Sequence, residues 1–303
     1  MNVVSIGEVL WDVVGDQEHL GGATFNFSAH LSRLGHRVSF ISAVGADERG
    51  RRILDCMRQL GLSTRYVREA PDHATGFVSV TLASDGQPTF VLHRPAAYDF
   101  PELSDAGLKE LRSDNVDWIY FGTLLHVSPQ AKQLTFKLLN ALRDSRRFYD
   151  VNLRAGAYDE VLLRELMAQA TVVKLNDSEV REIGRMFGQP QISIEQFCRR
   201  FARDFGWKSV CVTRGAEGCS LLLDEEFVEA EGYALLVADA VGAGDAFAAG
   251  FLHGLGSGWP AAQIADFANR VGALIASRPG AVPLWTLAEV EGLQRKTNFR
   301  ETA

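Results

Sequence analysis

The sequence predicts an α/β protein in which a mostly parallel sheet is covered by helices on both faces. Short apolar runs rich in β-branched and aromatic residues recur along the chain, and stretches with apolar residues three or four positions apart separate them. The short runs are mostly apolar rather than alternating regularly with polar residues. Such runs indicate strands that are buried on both faces, which is typical of parallel sheets.

The individual elements follow from local patterns. The first strand is predicted at residues 3–6, and the helix after it should end near Gly35. Further strands are predicted at residues 38–41, 118–121, 147–151, 172–175 and 209–212. The helix before the last of these strands begins at Ser193, with Gln196 three residues later, which is the pattern of a capping box.

Residues 75–94 depart from this alternation of strand and helix. Two stretches of alternating polarity flank Asp85 and Gly86, a pair that favours a tight turn, so they predict an antiparallel hairpin. A lone hairpin is not stable, so it must pack on the core, on a ligand or on a second subunit. We expect one domain over residues 1–303 with a small β lid contributed by about 12–20 and 75–94, and a homodimer formed through that lid.

Composition excludes several classes of function. The chain has 303 residues and a net charge of −7, which disfavours a nucleic-acid partner. Its start has no basic segment before an apolar run, and its apolar segments are interrupted too often to span a bilayer. We therefore expect a cytoplasmic protein without a membrane partner. Its four cysteines lack CxxC spacing, which predicts reduced thiols rather than zinc ligands or disulfides.

The motif DAVGAGDAF at residues 239–247 combines a glycine-rich turn, a helix start and a carboxylate. Gly242 and Gly244 allow the backbone to approach a ligand closely, and the first N–H groups of the helix favour an anion. Asp245 would then lie beside a bound phosphate, where it can accept a proton from an attacking hydroxyl. The alternative is a tight turn in which Asp245 only caps its helix.

A second group of polar residues follows the first strand. Asp12 and Asn26 offer a carboxylate and an amide that suit the vicinal hydroxyls of a sugar, and Gly21 and Gly22 allow close backbone approach. Ligands of open α/β sheets bind at such strand ends. The alternatives are that Asp12 forms a turn and that Asn26 is a helix cap or a structural amide.

These motifs resemble the two signatures of the ribokinase-like (PfkB) carbohydrate kinases. The resemblance is carried in chain order by residues 21–26, 45–50 and 239–247. Residues 7–12 look most like the fructokinase branch. The likeness implies a three-layer α/β/α sandwich with a small β lid. It also implies that Asp245 is the catalytic base and that the N–H groups of Gly242, Ala243 and Gly244 form the anion hole.

The resemblance also implies residues that bind ATP: Asn176, Thr213, Gly215, Gly218 and Asn269. Each has a structural alternative. Asn176 is also placed to cap a helix that has Glu179 at its third position, residues 213–218 also fit a hairpin turn, and Asn269 also fits a structural contact.

Two cation sites follow from the same family pattern. Residues 176–179 match an N-x-x-E element, which implies that Glu179 helps to place Mg²⁺ through water. Asp239 and the carbonyl of Val241 match a loop that binds a monovalent cation such as K⁺. Ala240 stands where the family usually has Thr, so the sequence departs from the family pattern at this loop.

The implied sugar-binding residues are Asp12, Gly22, Asn26, Arg94, Tyr98 and Arg154. Arg154 ends a D-x-N-x-R element and can offer several donors, although residues 155–157 replace the bulkier Pro-containing segment of the family. Arg94 favours a substrate with a keto or carboxylate oxygen. The alternative for Arg94 is a solvated surface side chain.

The sequence therefore predicts an ATP-dependent kinase that phosphorylates the primary hydroxyl of a small sugar, with D-fructose giving fructose-6-phosphate. Other acceptors that the motifs allow are 2-keto-3-deoxygluconate, ribose and a nucleoside. A sugar- or nucleotide-binding protein without turnover is the alternative from another class. A nicotinamide-dependent dehydrogenase is disfavoured because the turn after the first strand lacks a G-x-G-x-x-G fingerprint.

Overall fold

The computed structural model describes residues 1–82, 88–233 and 235–294, so the predicted turn at Asp85 and Gly86 lies outside the described residues. The strands are β1 (Asn2–Ile6), β2 (Leu10–Val14), β3 (Gln17–Gly21), β4 (Arg37–Gly45), β5 (Val67–Ala70), β6 (Phe77–Leu82), β7 (Pro88–Leu92), β8 (Trp118–Gly122), β9 (Arg146–Asp150), β10 (Val172–Asn176), β11 (Ser209–Thr213), β12 (Cys219–Leu223) and β13 (Glu226–Ala230). The helices are α1 (Ala23–Arg33), α2 (Glu48–Gln59), α3 (Asp105–Ser113), α4 (Pro129–Ala141), α5 (Glu160–Met167), α6 (Asp177–Met186), α7 (Ile194–Phe205), α8 (Ala243–Gly256), α9 (Ala261–Ala276) and α10 (Leu287–Gly292).

Nine strands form the main sheet in the order β13-β12-β11-β10-β9-β8-β1-β4-β5. Neighbouring strands are parallel, except that β12 is antiparallel to both β11 and β13. The prediction of a mostly parallel sheet is therefore confirmed. Because the carboxyl ends of parallel strands lie along one edge, the loops after β1, β8, β9 and β10 meet there.

Helices cover both faces of this sheet. Alternate residues of β1 point to opposite faces, so that Val3 belongs to one buried cluster and Val4 to the other. The cluster around Val3 includes side chains of α1, α2, α8 and α9, and the cluster around Val4 includes side chains of α3 to α7. The predicted three-layer α/β/α sandwich is confirmed.

A second, four-stranded sheet has the order β3-β2-β6-β7. The pairing of β6 with β7 is antiparallel, as the hairpin prediction required. Helix α2 holds this small sheet, because Glu18 on β3 accepts hydrogen bonds from Arg49 and Arg52. The two guanidinium groups also lie over aromatic rings of the small sheet, Phe77 and Trp11, at 4.5 and 4.2 Å.

Two local predictions are confirmed by the described residues. Ser193 and Gln196 form the capping box at the start of α7. All four cysteines are free thiols, and three of them are buried. Among the described residues, the helices include none that is long and apolar enough to cross a membrane.

Candidate active site

The glycine-rich turn lies at the start of α8, where Gly242 is the residue before the helix. Its φ of 78° belongs to the left-handed region, and a Cβ added there would lie 2.5 Å from the carbonyl oxygen of Ala281. Only glycine fits both constraints. The N–H group of Ala243 donates to the carbonyl of Ala240 over a long 3.3 Å, a contact that is weak enough for an anion to replace.

Asp245 lies in the first turn of α8 and is half-buried. Its Oδ2 accepts a hydrogen bond of 2.9 Å from Nδ2 of Asn26, which is 219 residues away in the chain. Burial and, to a smaller extent, the charge of Asp150 raise the pKa of Asp245 to about 7 against the opposing effects of Asn26, Lys174 and Arg154. A carboxyl with this pKa can change protonation state near neutral pH, as a general base must.

Two buried polar atoms of the predicted sugar residues have no hydrogen-bond partner within the described ranges: Oδ1 of Asn26, whose Nδ2 binds the base, and the hydroxyl of Tyr98. Asn26 lies on α1. The residue before this helix is Gly22, whose φ of 108° lies in the region that favours glycine. Buried polar atoms are nearly always paired, so an unpaired amide oxygen next to the base calls for a ligand donor. A sugar hydroxyl is such a donor.

Asp12 and Arg154 are brought to the same region. Asp12 is half-buried on β2, and burial raises the pKa of its carboxyl. The charge of Arg154 acts in the opposite direction on the pKa of Glu8, of Asp12 and of Asp245. One exposed guanidinium thus lies within electrostatic range of three carboxyl groups, so Asp12 and Arg154 of the predicted sugar residues lie in the same region as Asp245.

Arg94 has a different environment from the one expected. Its Nε and Nη2 donate to the carboxylate of the buried Asp99, and its Nη1 donates to the carbonyl oxygen of Leu124 over 2.8 Å. The side chain is only 18% exposed, so the alternative of a solvated surface arginine is wrong. The predicted contact with a keto or carboxylate oxygen stays a prediction, and the guanidinium would have to share donors that Asp99 and Leu124 already use.

Asn176 and Glu179 form a reciprocal cap on α6. The Asn176 side chain accepts from the N–H of Glu179 over 2.9 Å, and Oε2 of Glu179 accepts from the N–H of Asn176 over 2.7 Å. The other oxygen of Glu179 accepts from the N–H of Leu153 over 2.7 Å. The capping alternative is therefore correct. Because both oxygens already bind backbone N–H groups, Glu179 fits Mg²⁺ through water better than as a direct ligand.

Few carboxyl groups are available to form the predicted Mg²⁺ and K⁺ sites. Across the described residues, no three His, Cys, Asp or Glu side chains are grouped to hold a metal ion. Asp239 accepts the N–H groups of Val241 and Gly280 over 2.9 and 3.1 Å, and it thereby links two loops. The roles predicted for Glu179, Asp239 and Val241 as cation partners stay predictions.

The residues predicted to bind the nucleotide lie at the other end of the sheet edge. Residues 213–218 connect the antiparallel strands β11 and β12, so they do form the hairpin connection of the alternative. Asn269 is buried on α9, and its Nδ2 lies 3.4 and 3.3 Å from the carbonyl oxygens of Ala230 and Glu231. This structural contact is real, and the predicted role of Asn269 beside the adenine stays a prediction.

The sequence reading missed a buried charged cluster below the catalytic turn. Nζ of Lys174, on β10, lies 2.9 and 3.1 Å from the two carboxylate oxygens of Asp150 at the end of β9. The hydroxyl of Tyr120 donates to Asp150 over 3.0 Å. A lysine inside an otherwise apolar strand was the available signal, since a charge at a position buried on both faces needs a partner.

Known proteins resemble the chain over almost its whole length. The family described as pfkB family carbohydrate kinase matches residues 2–287. A fructokinase of Escherichia coli is 30% identical over 276 residues, which cover 86% of this chain and 87% of that protein. An aminoimidazole riboside kinase of Salmonella typhimurium is 27% identical over 295 residues, which cover 91% of this chain and 89% of that protein.

Solved structures share the fold. A double-mutant fructokinase from Vibrio cholerae O395, in a form with bound fructose, ADP and a potassium ion, superposes with a TM-score of 0.79. It is 24% identical, and the match covers 96% of this chain and 97% of that one.

Proposed function

Because the chain belongs to the pfkB family of carbohydrate kinases, we propose that it transfers the γ-phosphoryl group of ATP to the primary hydroxyl of a small sugar. D-Fructose, converted to fructose-6-phosphate, is the proposed acceptor. The hydrogen bond between Asn26 and Asp245 carries this proposal. It joins the two signature motifs in space, so that a group suited to sugar hydroxyls lies against a group suited to take a proton.

The chemistry follows from these positions. Asp245 accepts the proton of the primary hydroxyl as that oxygen attacks the γ-phosphorus, the new O–P bond forms, and the bond from the γ-phosphorus to the bridging oxygen of ADP breaks. The N–H groups of residues 242–244 stabilise the charge on the transferring group. Mg²⁺ would neutralise charge on the phosphates, with Glu179 orienting its water shell.

The acceptor is held by side chains of the opposite wall. We assign the sugar hydroxyls to Asp12, Asn26, Tyr98 and Arg154, with Gly22 leaving space for the ring. The small sheet then acts as a lid that excludes water, because water that reached the base in an open site would attack ATP in place of the sugar. One domain over residues 1–303, a homodimer through the lid and a cytoplasmic location complete the proposal.

The nucleotide is assigned to the far end of the sheet edge, at residues that lie at the ends of β10 and β11, in the connection between β11 and β12, and on α9. These are Asn176, Thr213, Gly215, Gly218 and Asn269. Support comes from the bound ADP of the Vibrio cholerae fructokinase. The potassium ion bound to that protein likewise supports a K⁺ site at Asp239 and the carbonyl of Val241.

Fructose is favoured over 2-keto-3-deoxygluconate by the charges on the wall. Glu8, Asp12 and Asp245 are all acidic, and Arg94 is already bound to Asp99. The single guanidinium of Arg154 offsets only part of this negative charge, so an acceptor that carries its own carboxylate is disfavoured there. The likeness of residues 7–12 to the fructokinase branch and the Escherichia coli relative support the same choice. Ribose and a nucleoside remain the alternatives, the latter through the Salmonella typhimurium riboside kinase.

A coupled ADP-release assay over fructose, ribose, 2-keto-3-deoxygluconate, glucose and adenosine tests the proposal, with Asp245→Asn as the control. Fructose should give the highest kcat/KM, and the variant should lie near background. If another sugar ranks first, the choice of fructose is wrong and the reaction type stands. If no acceptor raises ADP release above the level of the variant, the protein is a binding protein without turnover and the kinase proposal fails.

A further inference from the structure

The buried lysine on β10 has no role in the reaction described above. We propose that Lys174 is a positioning residue for phosphoryl transfer, whose ammonium group holds Asp150 and Asp245 as neighbouring carboxylates at the floor of the site. This inference rests on the proposed function, because it assigns the lysine to the same base.

The geometry directs Lys174 towards the catalytic turn. Two of its three N–H donors are used by the carboxylate oxygens of Asp150, at 2.9 and 3.1 Å. A Cβ placed on Gly244, inside the turn, would lie 4.0 Å from the same Nζ. The ammonium group therefore lies next to the first turn of α8, which is the turn that contains Asp245.

Stability does not account for the presence of this ion pair. The Lys174 and Asp150 side chains are only 8% and 1% exposed. Removing two charges from water costs several kcal/mol per ion, and replacing a buried pair with apolar residues is often neutral or stabilising. The hydrogen bond from Tyr120 further fixes the Asp150 carboxylate rather than the lysine. A use in the reaction is the better account of the pair.

The charges around Asp245 show what that use is. Asp150 raises the pKa of the Asp245 carboxyl, whereas Lys174 and Arg154 lower it. Lys174 also opposes the rise in the pKa of Glu179, and the charge of Asp245 acts in turn on Tyr120. Arg154 is exposed and screened by water, so the buried ammonium is the cation that offsets three acidic groups where an anionic phosphate must arrive.

The test compares Lys174→Met with Lys132→Met, a control that removes a lysine paired with Glu165 on two helices away from the site. For both variants, kcat is measured against pH with the best sugar. The carboxyl group of Asp245 is also titrated by NMR without ligands, and its signal is assigned by its loss in Asp245→Asn. Lys174→Met should move the acid limb of kcat and the NMR midpoint up by about one pH unit. Its kcat should then fall about ten-fold at pH 6 and less than about two-fold at pH 9. Lys174→Arg should restore the limb, and Lys132→Met should leave it in place.

Opposite charges should shift the base in opposite directions. Asp150→Asn should lower the midpoint of Asp245, and the double variant Asp150→Asn/Lys174→Met should return it towards the value of the unmodified protein. The double variant has no unpaired charge at position 150. It therefore gives a folded protein to measure even if the unpaired Asp150 destabilises Lys174→Met. Unmoved midpoints, or single variants that shift the same way, overturn the inference. If no sugar is phosphorylated but the NMR midpoints shift as described, the proposed function fails and the electrostatic link between Lys174 and Asp245 stands.

Discussion

The proposed catalytic turn at residues 242–245 and the proposed sugar wall formed by Asp12, Asn26, Tyr98 and Arg154 are held in place by different interactions. The turn is fixed by a left-handed glycine pressed against Ala281. In the wall, Asp12 lies on the small sheet and Tyr98 follows that sheet in the chain, whereas Asn26 lies on α1 and Arg154 in the loop after β9. From this difference we infer that the turn would determine the reaction, whereas the wall would determine the acceptor. Changes in the turn should lower kcat, and changes in the wall should raise KM.

The largest effect is expected from Asp245→Asn. The amide keeps the shape of the side chain but cannot accept the proton of the attacking hydroxyl, so kcat should fall by about 10²- to 10⁴-fold. Binding of the sugar, measured by calorimetry, should change little. A kcat close to that of the unmodified protein, with only a lower Tm, would show that Asp245 only caps α8.

The next effect is expected from Gly242→Ala. Its Cβ would collide with the carbonyl of Ala281 and displace the N–H groups of the anion hole, which should lower kcat by about 10²- to 10³-fold. Gly258→Ala is the matched control, because Gly258 also has a left-handed φ, of 70°, but an added Cβ meets nothing within 4 Å. It should cost about 1 kcal/mol of stability and leave kcat intact. Equal losses of kcat in both variants would contradict a specific role for the turn.

The pH dependence separates the two regions further. With a pKa of about 7, Asp245 is protonated at lower pH, so kcat should fall about ten-fold per pH unit below that value. The ordinary pKa of the group is 3.8, so the folded state holds the proton more tightly and stability declines as pH rises through this window. Asp245→Asn should therefore raise the Tm at pH 8 by a few degrees, a modest gain because the side chain is half-buried. A kcat that is flat from pH 5 to pH 8 would exclude Asp245 as the base.

The smallest effect is expected at the sugar wall. Asp12→Asn should raise the KM for the sugar by about ten-fold, which corresponds to about 1.4 kcal/mol, and should leave the KM for ATP and kcat nearly unchanged. Asp16→Asn, at an exposed position in the turn between β2 and β3, is the control and should change neither constant. A loss of kcat without a change in KM would move Asp12 from the wall to the turn.

The sequence predicts the two regions unequally well. Residues 239–247 combine glycine and carboxylate in a spacing with few uses, and the structure places Asp245 against Asn26 as that pattern requires. Burial and partners of single side chains depend on contacts made across the fold. Arg94 binds Asp99 through a turn of the chain, and Lys174 meets Asp150 only because β9 and β10 are neighbours in the sheet. The pattern of apolar and polar residues within a single strand predicts neither contact.

Some motif residues also have structural roles, and the sequence motif alone does not distinguish these roles from a function in the site. Asn176 and Glu179 cap α6 and tie it to Leu153. Asp47, within the first signature, caps α2 and binds Thr75 through its backbone and hydroxyl. Their residue types satisfy the needs of the helix on their own, so sequence alone leaves both explanations open.

The most direct test is phosphorus NMR of a reaction that contains the protein, ATP, Mg²⁺ and fructose, run beside the Asp245→Asn variant. We predict a phosphate monoester at the 6-position of fructose together with an equal amount of ADP in the unmodified protein, and neither product in the variant. Formation of ADP with inorganic phosphate alone, or of the same ester by both proteins, would contradict the assignment of Asp245 as the base of a sugar kinase.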